Sequence, residues 1–222
     1  MARMAAAPNA DLPFGSDIYT EPDADIDTLA NLGPLRGLAG IWISENGLDE
    51  HPIAGGPERD AYVEHYELQP IDPQTNGPQL LYGLRYHTHI VKPGEVETFH
   101  DQVGYWLWDP KLEVVTLLLA IPRAQVALAT GSAAADATEF EVAAERGSVT
   151  NGIASGPYLD AAFTTLRFRM HVTVHGPDTW SYEQDTLLQT PDRSEPFHHT
   201  DRNTLRRIAE PEPNPLQRAA SS

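Results

Sequence analysis

Ten runs of residues with β-strand character, joined by short turns, constrain the fold of this 222-residue chain more than any other feature. Gly, Pro and Asn occupy the connections, as at residues 92–94 and 176–178, and these residue types favour tight reversals of the chain. The sequence therefore predicts an all-β fold, a single antiparallel up-and-down β-barrel of about ten strands, whose closure removes exposed strand edges. The ten runs span residues 40–46, 60–69, 79–91, 97–108, 114–121, 124–130, 138–145, 164–175, 179–188 and 198–209.

Composition divides the chain into three parts. Residues 1–30 are rich in Ala, Asp and Pro and are predicted to form an N-terminal arm with a short helix at residues 26–32. Residues 31–209 carry the strand pattern and form the predicted β-barrel domain. Residues 210–222 are rich in Pro and Ser, which predicts a flexible tail. Within the barrel domain, the long gap at residues 150–162 is expected to cap one end.

The charge and the absence of cysteine exclude several functions. A formal net charge of −17 and a pI near 4.7 leave no basic surface for nucleic acid and disfavour anionic membranes. Without Cys there is no disulfide, thiolate metal site or cysteine nucleophile. No apolar run approaches the roughly 18 residues of a membrane span, and the N-terminus lacks a signal-peptide pattern, so a cytoplasmic protein is expected. The expected partner is a small apolar ligand, and a homodimer is left open.

Residues 98–110 combine partial alternation, four aromatic side chains and a histidine before an Asp-Pro turn, which indicates a strand lining an apolar space. The preceding strand carries His87 and His89 on one face, and His100 is expected to be a cross-strand neighbour. Three interpretations of these histidines stay open: a divalent-metal site, the lining of a ligand pocket, or ordinary positions in the barrel wall. The aromatic candidates for the same pocket are Trp42, Tyr105 and Trp106.

Four short motifs follow one another along residues 32–208. They are Leu32-Gly33-Pro34-Leu35 with Gly40-Ile41-Trp42, Phe99-His100 with Gly104-Tyr105-Trp106, the hairpin at residues 114–131, and Glu195-Pro196-Phe197 with Leu205-Arg206-Arg207. In this order they resemble the motifs of the nitrobindin family, heme-binding β-barrels related in shape to fatty-acid-binding proteins. The resemblance implies heme as the cofactor, with nitric oxide or peroxynitrite chemistry at a ferric iron held by one imidazole.

The resemblance also implies a histidine on the closing strand as the ligand of the heme iron. Counted from the flanking motifs, that position falls on Thr200, and His199 lies one residue away. Because adjacent residues of a strand face opposite sides, only a β-bulge is expected to bring His199 into the ligand's place. A regular closing strand would therefore lack the family's heme ligand. His199 is the candidate metal ligand, and Asp201 is its candidate hydrogen-bond partner.

Three functions stay open at this point. The first is heme binding, the second is a non-catalytic carrier of a fatty or aromatic small molecule, and the third is a metal-dependent enzyme. The third would use the histidines at positions 87, 89 and 100. The cofactor-binding candidates are His199, Thr200, His100, His87, His89, Tyr105, Trp106 and Trp42.

Overall fold

A computed structural model describes residues 13–221 of the chain. Its 58% strand and 11% helix confirm the predicted all-β class. The strands are β1 Gly40–Ile53, β2 Gly56–Pro70, β3 Gln74–Asn76, β4 Gln79–Val91, β5 Thr98–Asp109, β6 Val114–Ile121, β7 Gln125–Ser132, β8 Glu139–Arg146, β9 Gly152–Ser155, β10 Thr164–Gly176, β11 Thr179–Gln189 and β12 Phe197–Ala209. The helices are α1 Thr28–Asn31, a 3-10 helix Gly33–Leu38, α2 Pro157–Ala162 and α3 Pro215–Ala220.

Eleven of these strands form a closed barrel, which confirms the predicted architecture. Their order is β2, β1, β12, β11, β10, β8, β9, β7, β6, β5 and β4, and pairing of β2 with β4 closes the ring. The short strand β3 pairs with β4. Strands β8 and β9 run parallel, so the barrel is mixed rather than purely antiparallel. Both β9 and α2 come from the segment at residues 150–162 that the sequence predicts to cap one end.

Large aromatic side chains fill one part of the barrel interior. Trp42 is fully buried, meets Trp180 edge to face with ring centroids 6.1 Å apart, and donates its indole N–H to the carbonyl oxygen of Leu38 at 2.8 Å. Trp106 packs edge to face on Phe140. Such rings bury roughly 150–250 Å² each, so this cluster supplies much of the apolar burial. Inward-facing side chains beyond this cluster line a cavity.

A β-bulge in β1 changes which side chains of that strand face the interior. Between Ser44 and Gly47, β1 contains one residue more than the facing stretch of β2. Trp42 and Ser44 are buried before the bulge, whereas Gly47 and Asp49 are buried after it, so the inward positions change from even to odd numbers. A bulge re-aims side chains in this way because the extra residue shifts the alternation by one.

The N- and C-terminal segments meet through Asn214. Its buried side chain donates to the carbonyl oxygen of Ile26 at 2.9 Å and to Asp72 Oδ1 at 2.8 Å, and it accepts from the backbone N–H of Thr28 at 3.2 Å. Helix α3 follows directly within the predicted tail. Residues 1–12 of the predicted arm lie outside the described residues, and the three-part division of the chain stays a prediction.

Replacing Gly47 with Ala tests the packing at the bulge. A Cβ there would lie 2.0 Å from Cε2 of Tyr62, so we expect the free energy of unfolding to fall by about 1–3 kcal/mol, as for overpacked cores. Gly176→Ala is the matched control, because a Cβ there meets no atom within 4 Å, and we expect a change below about 0.5 kcal/mol. Urea denaturation measures both. Equal destabilisation of the two variants would contradict the prediction.

Candidate ligand-binding cavity

A cavity of about 390 Å³ lies inside the barrel, beside the tryptophan cluster. Its volume falls in the range of roughly 300–1,000 Å³ that is usual for small-molecule sites. One side of it is apolar, and the other carries histidines, carboxylates and tyrosines. The main apolar side chains are Leu119, Ile121, Ile153, Leu159, Phe168 and Met170. Leu159 and Ile153 come from the segment that the sequence predicts to cap the barrel.

Asp49 joins two histidines at the polar side of the cavity. Its Oδ1 lies 2.6 Å from His199 Nε2, and its Oδ2 lies 2.6 Å from His51 Nδ1. Burial raises the pKa of Asp49, but hydrogen bonds and charge from the two histidines outweigh burial and leave this pKa below its usual value. Asp49 is therefore ionised at neutral pH. An ionised carboxylate only accepts hydrogen bonds, so both imidazoles donate to it.

His199 reaches the cavity on a regular strand, which differs from the sequence-based expectation. Strand β12 pairs with β11 in unbroken register from Phe197 to Arg206. The inward side chains of β12 are those at odd positions, because Asn203 and Leu205 are buried, so His199 faces the cavity and Thr200 is exposed outside. Counting from the motifs assigned the inward face to the wrong residue. The bulge lies instead in β1, where it brings Asp49 opposite β12.

The histidines of β4 do not reach the cavity. Thr88 is buried and lines the cavity, so the side chains on either side of it point outward. His87 contacts Asp101 at 2.9 Å, and His89 contacts Thr98 at 3.1 Å. Alternation on a strand requires this result once one position is known to be inside. His87 and His89 therefore lie on the opposite face of the barrel wall from His100. The predicted metal site of these three histidines is wrong.

The candidates on β5 divide between the two faces of the barrel. His100 lines the cavity, and burial lowers its pKa, an effect opposed by a hydrogen bond with Gln102 and reinforced by the nearby His199. Its imidazole is thus neutral at pH 7 and can donate one hydrogen bond and accept another. Trp106 is buried in the core with Trp42, and neither lines the cavity. Tyr105 is 40% exposed on the outer face.

A buried carboxyl group forms the floor of the cavity. Glu64 on β2 is 1% exposed and accepts hydrogen bonds from Thr88 at 2.7 Å, Asn203 at 2.6 Å and Tyr182 at 2.9 Å. Burial raises the pKa of Glu64, and these three hydrogen bonds oppose that effect. The bonds offset the cost of removing the carboxyl group from water, which is large for an unpaired group.

The floor continues as a chain of hydrogen bonds from Glu64 through two tyrosines to a second carboxyl group. The Tyr182 hydroxyl lies 2.9 Å from that of Tyr62, which in turn contacts Asp201. The three contacts along this chain need three hydrogens, and the two phenols supply two of them. All three contacts can be hydrogen bonds only when one of the two carboxyl groups carries a proton. Burial raises the pKa of Asp201, the hydrogen bond with Tyr62 opposes this effect, and the negative charges of Glu64 and Asp49 add to it.

Sequence reasoning missed Asp49, His51, Tyr62 and Glu64. The predicted first strand ends at residue 46, which leaves Asp49 and His51 in the connection to the next strand. Glu64 stands among apolar residues at alternate positions of the predicted second strand, and this polar interruption was the available signal. The expected pairing of Asp201 with His199 is replaced by the contact between His199 and Asp49.

Comparisons with known proteins agree with this architecture. The model of the family described as THAP4-like, heme-binding beta-barrel domain matches residues 31–207. The crystal structure of Rv2717c from M. tuberculosis is similar in fold, with a TM-score of 0.57 and 18% sequence identity over 81% of this chain and 96% of that one. No curated protein matches the sequence. Among residues 13–221, no helix is both long and apolar enough to cross a membrane.

The family match runs from the segment before β1 into the closing strand β12, and it includes the cavity and His199. The motifs that resemble nitrobindins lie within the same range. The chain therefore belongs to the family of THAP4-like heme-binding β-barrel domains, and it is a ligand-binding barrel of the nitrobindin type.

Proposed function

We propose that the barrel binds heme in its cavity, with His199 as the ligand of the iron. The observation that carries this proposal is the 2.6 Å contact between His199 Nε2 and Asp49 inside a cavity with an apolar wall. Because Nε2 donates to the carboxylate, Nδ1 keeps the lone pair that a metal ion requires. A carboxylate behind the imidazole is the common outer partner of histidine ligands, since it fixes the tautomer and raises the basicity of the ring. These residues fit the cofactor.

Other side chains of the cavity suit the same ligand. The apolar wall formed by Leu119, Ile153 and Phe168 suits a porphyrin face and excludes water. Arg123 also lines the cavity, and its guanidinium suits an acidic group on the ligand. Neutral His100 offers a hydrogen bond to a small molecule beside the cofactor. When bound, heme would supply the nitric oxide or peroxynitrite chemistry that the family resemblance implies.

A non-catalytic carrier of a fatty or aromatic small molecule is the second candidate. The observation in its favour is the hydrogen-bond network at the floor of the cavity, in which Glu64, Tyr62 and Tyr182 are partners of one another. An apolar ligand could fill the cavity without leaving these groups unpaired, which would otherwise cost roughly 1–3 kcal/mol each. The metal-dependent enzyme is not proposed, because His87 and His89 lie outside the barrel wall.

Titration of hemin into the wild type and His199→Ala tests the heme proposal. We expect the wild type to shift the Soret band, and we expect the variant to bind hemin at least about tenfold more weakly because it lacks the iron ligand. His198→Ala is the matched control, since His198 points outward to Asp185 at 2.9 Å. The hemin affinity of this variant should equal that of the wild type. Equal hemin affinity in all three proteins would contradict the proposal. Tight binding of a fluorescent fatty acid in that case would favour the carrier.

Replacing Asp49 with Asn tests its role as a positioning residue. The amide preserves the shape but not the charge of the side chain, so the basicity of the His199 ring should fall. We expect hemin to bind about tenfold more weakly and the iron–histidine stretching frequency to decrease in resonance Raman spectra. Asp185→Asn, which alters the outward pair with His198, should change neither quantity. An unchanged stretching frequency in Asp49→Asn would contradict this role.

A further inference from the structure

The hairpin of β1 and β2 carries metal-ligating side chains at the mouth of the barrel, outside the proposed heme contact. Asp49 lies opposite Asp60, and His51 lies opposite Glu58, on the same face of the hairpin. Strand β4 pairs with β2 only from Val63 onward, so this part of the hairpin extends beyond that neighbour. Cross-strand partners are close enough for their side chains to share one ion. We call His51, Glu58 and Asp60 the rim site.

The orientation of His51 makes its other ring nitrogen available to a metal. Nδ1 donates to Asp49 Oδ2 at 2.6 Å, which leaves the lone pair on Nε2. This nitrogen lies 3.5 Å from Glu58 Oε2 and 4.0 Å from Asp60 Oδ2. Two ligands that are each about 2.1 Å from a tetrahedral Zn²⁺ lie about 3.4 Å apart. The ligand atoms of the rim site all lie within 4.8 Å of one another, so side-chain rotations would bring them to that spacing.

A cation already neutralises part of the rim site. The ammonium group of Lys92 lies 2.7 Å from Asp60 Oδ2, one of the oxygens that face His51. Lys92 also lies over the ring of Phe99, and its side chain is 34% exposed, so it can move into solvent. The rim site therefore favours positive charge, and a metal ion could displace the Lys92 ammonium group from Asp60. The net charge of −17 further raises the local concentration of cations.

We propose that the rim site binds a divalent transition metal of the Zn²⁺ class through His51 Nε2, Glu58 and Asp60. One imidazole and two carboxylates favour zinc over magnesium, which prefers an all-oxygen octahedral shell. Asp49 orients His51 as an outer carboxylate. Three protein ligands leave a fourth tetrahedral position open to water or to an anionic group of a molecule at the mouth. The rim site would bind its ion in the absence of heme.

Zn²⁺ titration of chelator-treated protein by calorimetry tests the proposal. His51→Ala and Glu58→Gln should each weaken Zn²⁺ binding at least about tenfold, because each removes one ligand. His87→Ala is the matched control, since His87 forms an outward pair with Asp101, and it should leave the affinity unchanged. Mg²⁺ should bind more weakly than Zn²⁺. Equal Zn²⁺ affinity in the wild type and His51→Ala would overturn the proposal.

Two further variants distinguish Zn²⁺ at the rim site from Zn²⁺ inside the cavity. Lys92→Met should tighten Zn²⁺ binding because the ammonium no longer competes for Asp60, and an unchanged or weaker affinity would contradict the three-ligand site. His199→Ala should retain Zn²⁺ binding within about threefold, well below the loss expected for a ligand. Loss of Zn²⁺ binding in His199→Ala would place the metal in the cavity and overturn the proposal. Near-ultraviolet circular dichroism of each variant verifies its fold.

Discussion

The bulge in β1 is the constraint on which the polar side of the cavity depends. Without the extra residue between Ser44 and Gly47, the alternation set by buried Trp42 would continue. Asp49 and His51 would then point to solvent, and His199 would lose its carboxylate partner. One inserted residue therefore lets a single strand supply Trp42 to the core and the hydrogen-bonded pair of Asp49 and His51 to the cavity.

Gly47 links the bulge to the floor of the cavity. The ring of Tyr62 occupies the space that a side chain at position 47 would fill, and this ring directs the hydroxyl toward Asp201 and Tyr182. Tyr182 in turn donates to Glu64. Backbone geometry in β1 thus determines the hydrogen bonding of two carboxyl groups on other strands. Such a network is costly when any member lacks its partner, so its parts constrain one another.

The fold was more predictable from the sequence than the site. Alternation and turn residues are local properties, and they located ten strands and the closed barrel. The site depends on which face of a strand is inside, and one residue of error reverses that assignment, as it did for His199 and Thr200. The register of β12 follows from its pairing with β11, and the bulge in β1 follows from contacts with β2. Neither is encoded within one strand, so motif counting could not supply them.

Asp49 makes the mouth and the interior of the barrel interdependent. Its two oxygens accept from different imidazoles, so a positive charge placed on His51 draws the shared carboxylate toward the mouth and weakens its effect on His199. The centroids of the two rings are 6.3 Å apart, close enough for charges on them to repel directly as well. A cation at the rim and a metal on His199 would therefore oppose each other. By thermodynamic linkage the opposition is reciprocal, and each would lower the affinity of the other by the same factor.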